Sequence, residues 1–535
     1  MPSLTSDPPG PARTGRPVAV AVVVGAVTTA VLLLGSVGSR IRLVRDDVTV
    51  PDPARPLHGW FPSSAAELRA WPLDGVTWLL TRVAPSGVVQ SGVTVLAVLG
   101  AGVGVGVLLR RHGAAAVVAG TVAATWNPYV AERLLVGQPA VLLGYAAIPW
   151  VVLVARSTTR LGRRLVLLAL VAAPAAVTPW GGLVVLGVAL AASASPPGRA
   201  WRDVLPVGLL GTLWCAPWLV PALVAGGVGA DPDGAAAFAL ADDTGGGAWL
   251  SAVLGGGIWA TGAVPGSRAS VLALGCSLAL LAAAVCGVVL VARRDGRRGV
   301  VAVLLLLGPA TLLAVASGPA LTLVTRAQAI AGVALFRDQH RLLAPAVVAT
   351  AVLVGLVAGR AASWGARPVG TGVGLVVVAL SVGTVADLPT LLRESYRPVS
   401  FPTDWPEAVG AAGAGDGAVL SLPWQPLRRP GWRGPGPAFL DPTPRAVGTP
   451  VLTSVVLTVS RDGRAVEVDD APTADGTDWA RGVVSDESLR RHGVTRVVEW
   501  LDTPGALPVP GPGWVLLHGG PAFRVWDVSR ASRAS

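Results

Sequence analysis

Long apolar stretches alternate with shorter polar segments between residues 17 and 386. Most of these stretches approach the roughly 20 residues that a helix needs to cross a bilayer. The pattern predicts eleven membrane-spanning helices, at residues 17–36, 87–109, 114–127, 138–155, 164–178, 181–197, 204–225, 269–292, 299–317, 342–359 and 369–386. The fifth and sixth stretches are short, and Thr178-Pro179-Trp180 between them is typical of either a turn or a kink.

Three polar segments between the apolar stretches are too long to be simple turns. They are residues 37–86, 226–268 and 318–341, called here the first, second and third long loops. Within the first, Ala65–Val83 contains Trp71 and Trp78 and predicts an interfacial helix. All three loops fall on the same predicted face of the membrane. Long loops usually carry function, so that face is where we expect the protein to work.

Residues 388–535 follow a different pattern, which predicts a separate soluble α/β domain. The predicted strands are Ala418–Leu422, Val451–Val459, Val494–Trp500, Trp514–His518 and Ala522–Val528. One helix is well marked: Ser485 can cap it, Asp486 opens its first turn, Arg490 suits its last turn, and Gly493 follows its end. Residues 423–446 are rich in Pro, Gly and Arg and predict a long loop.

Composition supports a membrane protein of 535 residues. Hydrophobic residues make up 52% and charged residues 14%, and the mean hydropathy is +0.61. A soluble protein carries about 25% charged residues. The formal net charge is +11, but 16 of the 31 acidic residues lie in residues 388–535. The basic excess therefore belongs to the membrane region, and no nucleic-acid partner is expected. The cysteines lie in apolar stretches, which predicts no disulfide framework.

The distribution of arginine predicts the orientation. If residues 1–16 are a cytoplasmic tail, the loops on that side carry 16 Arg and three acidic residues. The other side of residues 1–387 then carries 11 Arg and 12 acidic residues. Cytoplasmic loops are normally enriched in positive charge. We therefore expect a transmembrane domain at residues 17–387, with the long loops and residues 388–535 outside the cell membrane.

Asp46 and Asp47 are the first candidate for chemistry, since they directly follow the first apolar helix. Adjacent carboxylates near the bilayer surface can bind a divalent cation, or one of them can act as a general base. The alternative is a solvated loop in which the pair contacts Arg42 or Arg45.

The second candidate is the polar segment 127–138, between two apolar stretches. It contains Tyr129, Glu132, Arg133 and Gln138. Polar groups at membrane depth are costly and often line a functional cavity. The alternative is an interfacial turn in which Glu132 pairs with Arg133 and Tyr129 anchors the turn at the interface.

The third candidate is the motif Arg337-Asp338-Gln339-His340-Arg341, directly before an apolar stretch. On a helix, Arg337 and Arg341 share a face, and two guanidiniums at headgroup level can bind a lipid phosphate, with His340 as a further donor. The alternative is arginines that extend to the membrane interface, with Asp338 as an intrahelical partner. A fourth acidic pair, Asp242-Asp243, lies in Gly-rich sequence, and we expect it to be solvated.

The order of these features resembles the GT-C fold glycosyltransferases, which are polytopic membrane enzymes that use polyprenyl-phosphate sugars as donors. The resemblance rests on a first helix, a long loop that opens with an acidic pair, many further spans and an outer C-terminal domain. The segments WNPYVAERLLVGQPAVLLGYAAIPW, ALFRDQHRLLAP and VLSLPWQPLRRPGWRGPGPAFLDPTPRAVGTPVL resemble, more narrowly, actinobacterial GT-C-like membrane proteins that are mostly uncharacterised.

The resemblance implies a glycosyltransferase that moves a sugar from a polyprenyl phosphate to an acceptor glycan or protein on the outer face. Asp46 or Asp47 would match the family's acidic motif, which contacts the acceptor hydroxyl or a divalent metal such as Mg²⁺ or Mn²⁺. We choose Arg337, His340 and Arg341 for the donor phosphate, although the family has no fixed motif there. Arg40, Arg42 and Arg45 surround the acidic pair and are expected to lower the pKa of its carboxyl groups.

Two other classes remain open at this point: a lipid or glycolipid flippase, and a non-catalytic membrane scaffold. A flippase predicts ionisable residues at the bilayer midplane and weak inverted repeats, whereas the charged residues here lie at the ends of the apolar stretches and in loops. The enzyme hypothesis predicts that the Asp46 and Asp47 carboxylates and the Arg337 and Arg341 guanidiniums share one outer-leaflet cavity, roughly 5–12 Å apart, which leaves room for a phosphosugar. Pairs that face different surfaces, or the lack of a cavity that opens to lipid, would count against it.

Overall fold

The structure is a computed structural model and describes residues 12–56, 70–194, 200–224, 230–330, 332–364, 367–461 and 463–530. Up to residue 395 it is helical. The helices are α1 (Ala12–Leu33), α2 (Leu73–Thr81), α3 (Ser86–Leu108), α4 (Ala114–Thr125), α5 (Pro128–Leu135), α6 (Pro139–Ala155), α7 (Leu161–Ala176), α8 (Pro179–Ala194), α9 (Ala200–Val224), α10 (Gly234–Ala237), α11 (Ala248–Val253), α12 (Val271–Arg294), α13 (Gly296–Ser317), α14 (Leu321–Ala327), α15 (Ala344–Ala362), α16 (Arg367–Thr384) and α17 (Leu388–Ser395). Short 3₁₀ helices span Thr261–Ala263, Gly266–Ala269, Val333–Phe336 and Gln339–Leu343.

A helix lies at each of the eleven predicted apolar stretches. Among the described residues, six helices are long and apolar enough to cross a membrane: Gly15–Leu33, Ser86–Leu108, Arg202–Val224, Val271–Arg294, Gly296–Ser317 and Gln339–Ala362. A seventh is counted if α16 and α17, which meet at a bend of 46°, form one span. The chain is therefore a multi-pass membrane protein, and the number eleven and the orientation stay predictions.

Small residues let the central helices approach closely. Helix α4 packs against α15, and Gly355 of α15 faces the backbone of α4: a Cβ there would lie 2.9 Å from the Ala116 carbonyl oxygen. Gly102 of α3 similarly faces Thr121 and Thr125 of α4. Association of membrane helices depends on such close packing, because lipid offers no hydrophobic driving force for it. The shortest of these helices, α4, is thus enclosed at the centre of the largest buried cluster.

Two predictions about connecting segments, the interfacial helix and the turn or kink at Thr178, can be compared directly with the structure. Helix α2 lies within the predicted interfacial helix Ala65–Val83, whose residues 65–69 lie outside the described part of the chain. Between α7 and α8 the chain makes a turn, in which the Thr178 hydroxyl accepts a hydrogen bond from the Gly181 amide. Of the two predicted alternatives, a turn or a kink, the structure has the turn.

The C-terminal region contains a mixed five-stranded sheet. Its strands are β1 (Ala418–Leu422), β4 (Val451–Leu452), β7 (Val494–Trp500), β8 (Val515–Gly519) and β9 (Phe523–Asp527), in the order β4-β1-β7-β9-β8. The first three are parallel, and β9 runs antiparallel to both of its neighbours.

Two antiparallel strand pairs lie apart from this sheet: β2 (Leu427–Arg428) with β3 (Phe439–Leu440), and β5 (Leu457–Arg461) with β6 (Arg464–Val468). The helices are α18 (Trp405–Gly413), α19 (Thr443–Ala446), α20 (Gly476–Ala480) and α21 (Asp486–Arg491), and a 3₁₀ turn spans Gly431–Arg433.

Sequence signals predicted much of this region correctly. The bounds of β1 and β7 are as predicted, and α21 is capped by Ser485, whose hydroxyl accepts from the Ser488 amide. The predicted strand Val451–Val459 is wrong in one respect, because it divides into β4 and β5 of different sheets. Ser454 interrupts the run, since its hydroxyl accepts from the Val456 amide and turns the backbone.

The start of the first long loop lies between the helices and the C-terminal region. Val399 donates to the Ile41 carbonyl, and Arg45 pairs with Phe439 of β3. The Arg433 guanidinium donates to the Leu43 carbonyl at 2.8 Å. These contacts fix the backbone that carries Asp46 and Asp47.

Candidate active site

Asp46 and Asp47 occupy a tight turn. The Asp47 amide donates to the Val44 carbonyl at 2.7 Å, and Arg45 has a left-handed backbone with φ +47°. Gly137 lies directly under this turn, where a Cβ would be 2.2 Å from the Val44 oxygen. Gly137 itself has φ +79°, which favours glycine. The position therefore needs glycine for both backbone conformation and space.

The Asp46 side chain is half-buried and its carboxylate is bonded to one side chain. Gln138 donates its amide to Asp46 Oδ2 at 2.7 Å. Burial raises the pKa of Asp46, and the hydrogen bond from Gln138 opposes that shift.

The Asp47 carboxylate points to other neighbours. Its Oδ2 is buried and has no hydrogen-bond partner among the described residues. Burial raises the pKa of Asp47 to about 7, against the opposing effects of Gln90 and Arg445. A carboxylate that titrates near neutral pH is suited to accept a proton from a hydroxyl group.

The neighbouring arginines affect these pKa values less than burial does. Arg40 donates to the Ser400 hydroxyl, Arg42 donates to backbone carbonyls that include Tyr396, and Arg45 donates to the Gly262 carbonyl. Arg45 lowers the pKa of Asp46 and Arg42 lowers that of Asp47, but burial is the largest contribution and raises both. The expectation of depressed values is therefore wrong.

Arg341 lies on the other side of Gln138. Gln138 Oε1 accepts from Arg341 Nη2 at 3.3 Å and from Arg133 Nη1 at 2.6 Å. The path from the Asp46 carboxylate to the Arg341 guanidinium through this single amide is roughly 8 Å. Asp46 and Arg341 therefore contact the same Gln138 side chain, which lies between them.

Asp338 joins Arg341 to a second arginine. It makes two hydrogen bonds with Arg133, at 2.7 and 2.8 Å, and lies 2.9 Å from Arg341 Nε. Burial alone would raise the pKa of Asp338, but the guanidiniums of Arg133 and Arg341 hold it well below its usual range. The Arg133 side chain is fully buried, so this ion pair is shielded from water.

Arg337 lies apart from this group. It makes two hydrogen bonds of 2.6 Å with Asp470, next to β6, and its guanidinium lies over the Phe238 ring. The premise that Arg337 and Arg341 share a helical face is wrong, because two separate 3₁₀ helices, Val333–Phe336 and Gln339–Leu343, replace a continuous helix.

His340 connects the arginine cluster to Glu132. Arg133 Nε donates to His340 Nδ1 at 3.1 Å, so the imidazole carries its proton on Nε2. That nitrogen lies 3.1 Å from Glu132 Oε2, which also accepts from the Ile258 amide at 3.0 Å. The ring of Tyr129 stacks on His340 at 5.0 Å. His340 is therefore enclosed between fixed partners.

Glu132 extends the network to the second long loop. Burial together with the Asp243 charge raises the pKa of the Glu132 carboxyl group well above its usual value, and its Oε1 is buried without a hydrogen-bond partner among the described residues. Asp243 in turn makes two hydrogen bonds with Arg268, at 2.9 and 3.2 Å, and both of these side chains are fully buried. The expectation that Asp242-Asp243 is solvated holds for Asp242, which is exposed, and is wrong for Asp243.

We call the connected side chains the buried network: Asp46, Gln138, Arg341, Asp338, Arg133, His340, Glu132, Asp243 and Arg268. Helix α5 supplies its centre. The α5 helix begins because Asn127 caps it by accepting from the Val130 amide and Pro128 occupies the first turn. The alternative of an interfacial turn is wrong, since every residue of α5 is buried and Glu132 contacts His340.

The carboxylate pair is the candidate site for a divalent metal. Among the described residues, no group of three or more His, Cys, Asp or Glu side chains has the arrangement of a metal site. Asp46 and Asp47 alone would supply two oxygen ligands, which suits Mg²⁺ bound largely through substrate phosphates and water.

Several residues of the site were not identified from the sequence. Asp338 was considered only as an intrahelical partner, although it is the carboxylate that both arginines contact. Gly137, Asp243 and Arg268 carried no functional prediction. For Gly137 a signal exists: a Gly-Gln pair directly after the capped polar segment marks a helix end with a special backbone conformation.

A helical membrane region, a buried acidic turn after the first helix and a C-terminal region with strands define a GT-C-like membrane protein. The comparison with solved structures supports this class. The chain matches the cryo-EM structure of the arabinofuranosyltransferase AftD from mycobacteria with a TM-score of 0.56 at 18% identity. The match covers 95% of this chain and 41% of the AftD chain, so this protein spans less than half of that neighbour's length.

At this identity the likeness shows the fold. AftD is a GT-C membrane glycosyltransferase, so the resemblance identified from the sequence is confirmed. No protein-family model matches the chain, and no curated protein does.

Proposed function

We propose that this protein is a plasma-membrane glycosyltransferase. It transfers a sugar from a polyprenyl-phosphate donor to an acceptor glycan or glycoprotein on the outer face of the membrane. The observation that carries the proposal is the placement of Asp46 beside Arg341, on a GT-C-like fold, with Gln138 bonded to both. Asp47, the residue after Asp46, and Arg341 would supply the acid–base group and the phosphate-binding group that such a transfer needs.

Asp47 is the general base of the proposed reaction. The acceptor hydroxyl gives its proton to the Asp47 carboxylate while its oxygen forms a bond to the anomeric carbon of the donor sugar. The bond from that carbon to the phosphate oxygen breaks, and the electron pair leaves with the lipid phosphate. The raised pKa of Asp47, about 7, matches this role because the carboxyl group can both accept and release the proton near neutral pH.

Arg341 binds the departing phosphate. Its guanidinium is about one-quarter exposed, and Asp338 and Gln138 fix its orientation. A preorganised cation stabilises the charge that develops on the leaving group, at no reorganisation cost during the reaction. Arg337 serves instead to join the third long loop to the C-terminal region.

Asp46 accepts from Gln138 and orders the site around Asp47. If a Mg²⁺ or Mn²⁺ ion is used, Asp46 and Asp47 would bind it, and it would add positive charge at the donor phosphate. The neighbour acts with arabinofuranose, so polyprenyl-phosphate pentoses are the first donors to test. Residues 388–535 would then lie outside the cell, where they support the loops and contact the acceptor.

The test is a transfer assay with purified protein in liposomes that contain decaprenyl-phosphate arabinofuranose. We expect Asp47→Asn to abolish transfer and Asp46→Asn to reduce it strongly. Asp52→Asn is the matched control, since Asp52 lies on the same loop but is largely exposed and pairs with exposed Arg82. Full activity in both Asp46→Asn and Asp47→Asn would refute the proposal and favour a flippase or a scaffold.

The two arginines can be separated in the same assay. We expect Arg341→Lys to raise the KM for the donor lipid, because lysine cannot bind the phosphate with two parallel hydrogen bonds. Arg337→Lys is expected to leave that KM unchanged. Equal effects of both substitutions would contradict the assignment of the phosphate to Arg341.

A further inference from the structure

The tryptophans of the C-terminal region divide into two kinds. Trp405, Trp479, Trp500 and Trp514 are buried and pack in its core. Trp424, Trp432 and Trp526 are half-buried. Half-buried aromatic rings are available to contact a ligand where a cavity lies beside them.

Trp432 lines a surface cleft of about 390 Å³. The cleft is formed by Pro402, Trp432, Leu501, Asp502, Pro521 and Ala522. The Trp432 ring packs against two other aromatic rings, with centroid distances of 5.5 Å to Phe401 and 6.4 Å to Trp500. An aromatic ring that is already immobilised loses little conformational entropy when a ligand stacks on it.

A carboxylate stands at the edge of this cleft. Asp502 Oδ2 accepts from the Trp432 amide at 3.0 Å, which orients the side chain beside the ring. Asp502 is exposed, and its Oδ1 accepts no hydrogen bond within the described residues. A flat ring beside a carboxylate that can accept from hydroxyl groups suits a neutral sugar, and the negative charge disfavours acidic glycans.

The cleft also lies close to the carboxylate pair. The Trp432 ring is 6.4 Å from Phe439, which pairs with Arg45, and the next residue of the chain, Arg433, donates to the Leu43 carbonyl. Measured through the buried Phe439 side chain, Trp432 therefore lies roughly 15 Å from Asp46, and an acceptor that joins the two would run over the surface. An oligosaccharide of a few residues spans such a distance, whereas a single sugar does not.

We propose that the Trp432 cleft is a subsite for a neutral acceptor oligosaccharide, with one sugar ring stacked on Trp432 and its hydroxyl groups bonded to Asp502. The proposal rests on the proposed function, because it assigns the more distant part of the same acceptor whose terminal hydroxyl reaches Asp47. The protein would accordingly prefer acceptors of several residues to monosaccharides.

Binding can be measured without any transfer reaction. Full-length protein in detergent is titrated calorimetrically with linear arabinofuranose pentasaccharide, mannose pentasaccharide and free arabinose. We expect one of the pentasaccharides to bind and Trp432→Ala to weaken that binding by about 3- to 10-fold. Trp424→Ala is the matched control, since Trp424 is also half-buried and packs on Trp479 at 4.8 Å, away from the cleft.

Unchanged binding in Trp432→Ala, equal losses in Trp432→Ala and Trp424→Ala, or no binding by any probe would overturn the subsite. In the transfer assay, Trp432→Ala is expected to raise the KM for a pentasaccharide acceptor and to leave the donor KM and kcat unchanged. If the pentasaccharide binds through Trp432 but no sugar is transferred, the proposed function fails and the cleft stands as a glycan-binding site.

Discussion

The pairing of Glu132 with Asp243 gives the sharpest prediction about the buried network. Burial and the Asp243 charge favour the protonated form of the Glu132 carboxyl group, whose Oε2 accepts from the Ile258 amide. A glutamine has the same shape, one acceptor oxygen and an amide that can donate to Asp243. We therefore expect Glu132→Gln to preserve the network and Glu132→Ala to break it.

The size of the effect follows from the contacts that alanine removes. In Glu132→Ala the Ile258 amide loses its buried acceptor. Leaving one buried polar group unsatisfied costs about 1–3 kcal/mol. In Glu132→Gln this acceptor contact remains, and the change is expected to be within about 1 kcal/mol.

Thermal inactivation in detergent at a fixed heating rate, followed by transfer activity and by tryptophan fluorescence, measures both substitutions. Glu487→Gln is the control, because Glu487 is exposed and its pairing with Arg491 contributes little. The reasoning would be refuted if Glu132→Gln were as unstable as Glu132→Ala, since Glu132 would then act as a buried anion and not as an acid.

Two further predictions concern the acidic turn. Because the folded protein holds the pKa of Asp47 near 7, above the unfolded value of about 3.9, transfer should rise with pH through about 7. The same shift makes an ionised Asp47 unfavourable in the folded state. The free energy of unfolding of Asp47→Asn, relative to the unsubstituted protein, should therefore increase as pH rises from about 4 to 7, with no difference below about 4. A stability difference that does not depend on pH would contradict this. Gly137→Ala should abolish transfer, because its Cβ would displace the Val44 carbonyl. Gly113→Ala is the control: Gly113 also has a positive φ, but a Cβ there meets no atom within 4 Å, so transfer should remain while the free energy of unfolding falls by about 1–2 kcal/mol. Equal transfer in the two variants would show that the turn tolerates displacement.

The helices of the membrane region were predictable because their signal is local. An apolar run needs only its own composition to favour a helix in lipid, and each predicted stretch coincides with a helix. The short helix α5 was not predicted, although Asn127 and Pro128 carry an ordinary helix-start signal. In α5 a charged sequence is buried, and only its tertiary partners make that possible.

The candidate site was predictable only in part because its contacts join distant residues. Asp46 meets Gln138 across 92 positions, and Arg133 meets Asp338 across 205. Position after the first helix was enough to single out Asp46 and Asp47. Nothing local shows that Arg341 belongs to this site while Arg337 binds Asp470, since the two differ only in how the 3₁₀ helices direct them.

The buried network connects all three long loops through one rigid element. Asp46 of the first loop accepts from Gln138, which follows α5; Ile258 of the second loop donates to Glu132 of α5; and Asp338 of the third loop accepts from Arg133 of α5. A transfer reaction needs its base and its phosphate-binding group at a fixed separation, and small errors in that separation are costly. Loops that contacted only each other would not fix it. Because α5 is fully buried and its charged side chains are paired, a displacement of any one loop must break a buried ion pair or hydrogen bond. The geometry at Asp47 and Arg341 therefore depends on the same contacts that stabilise the fold.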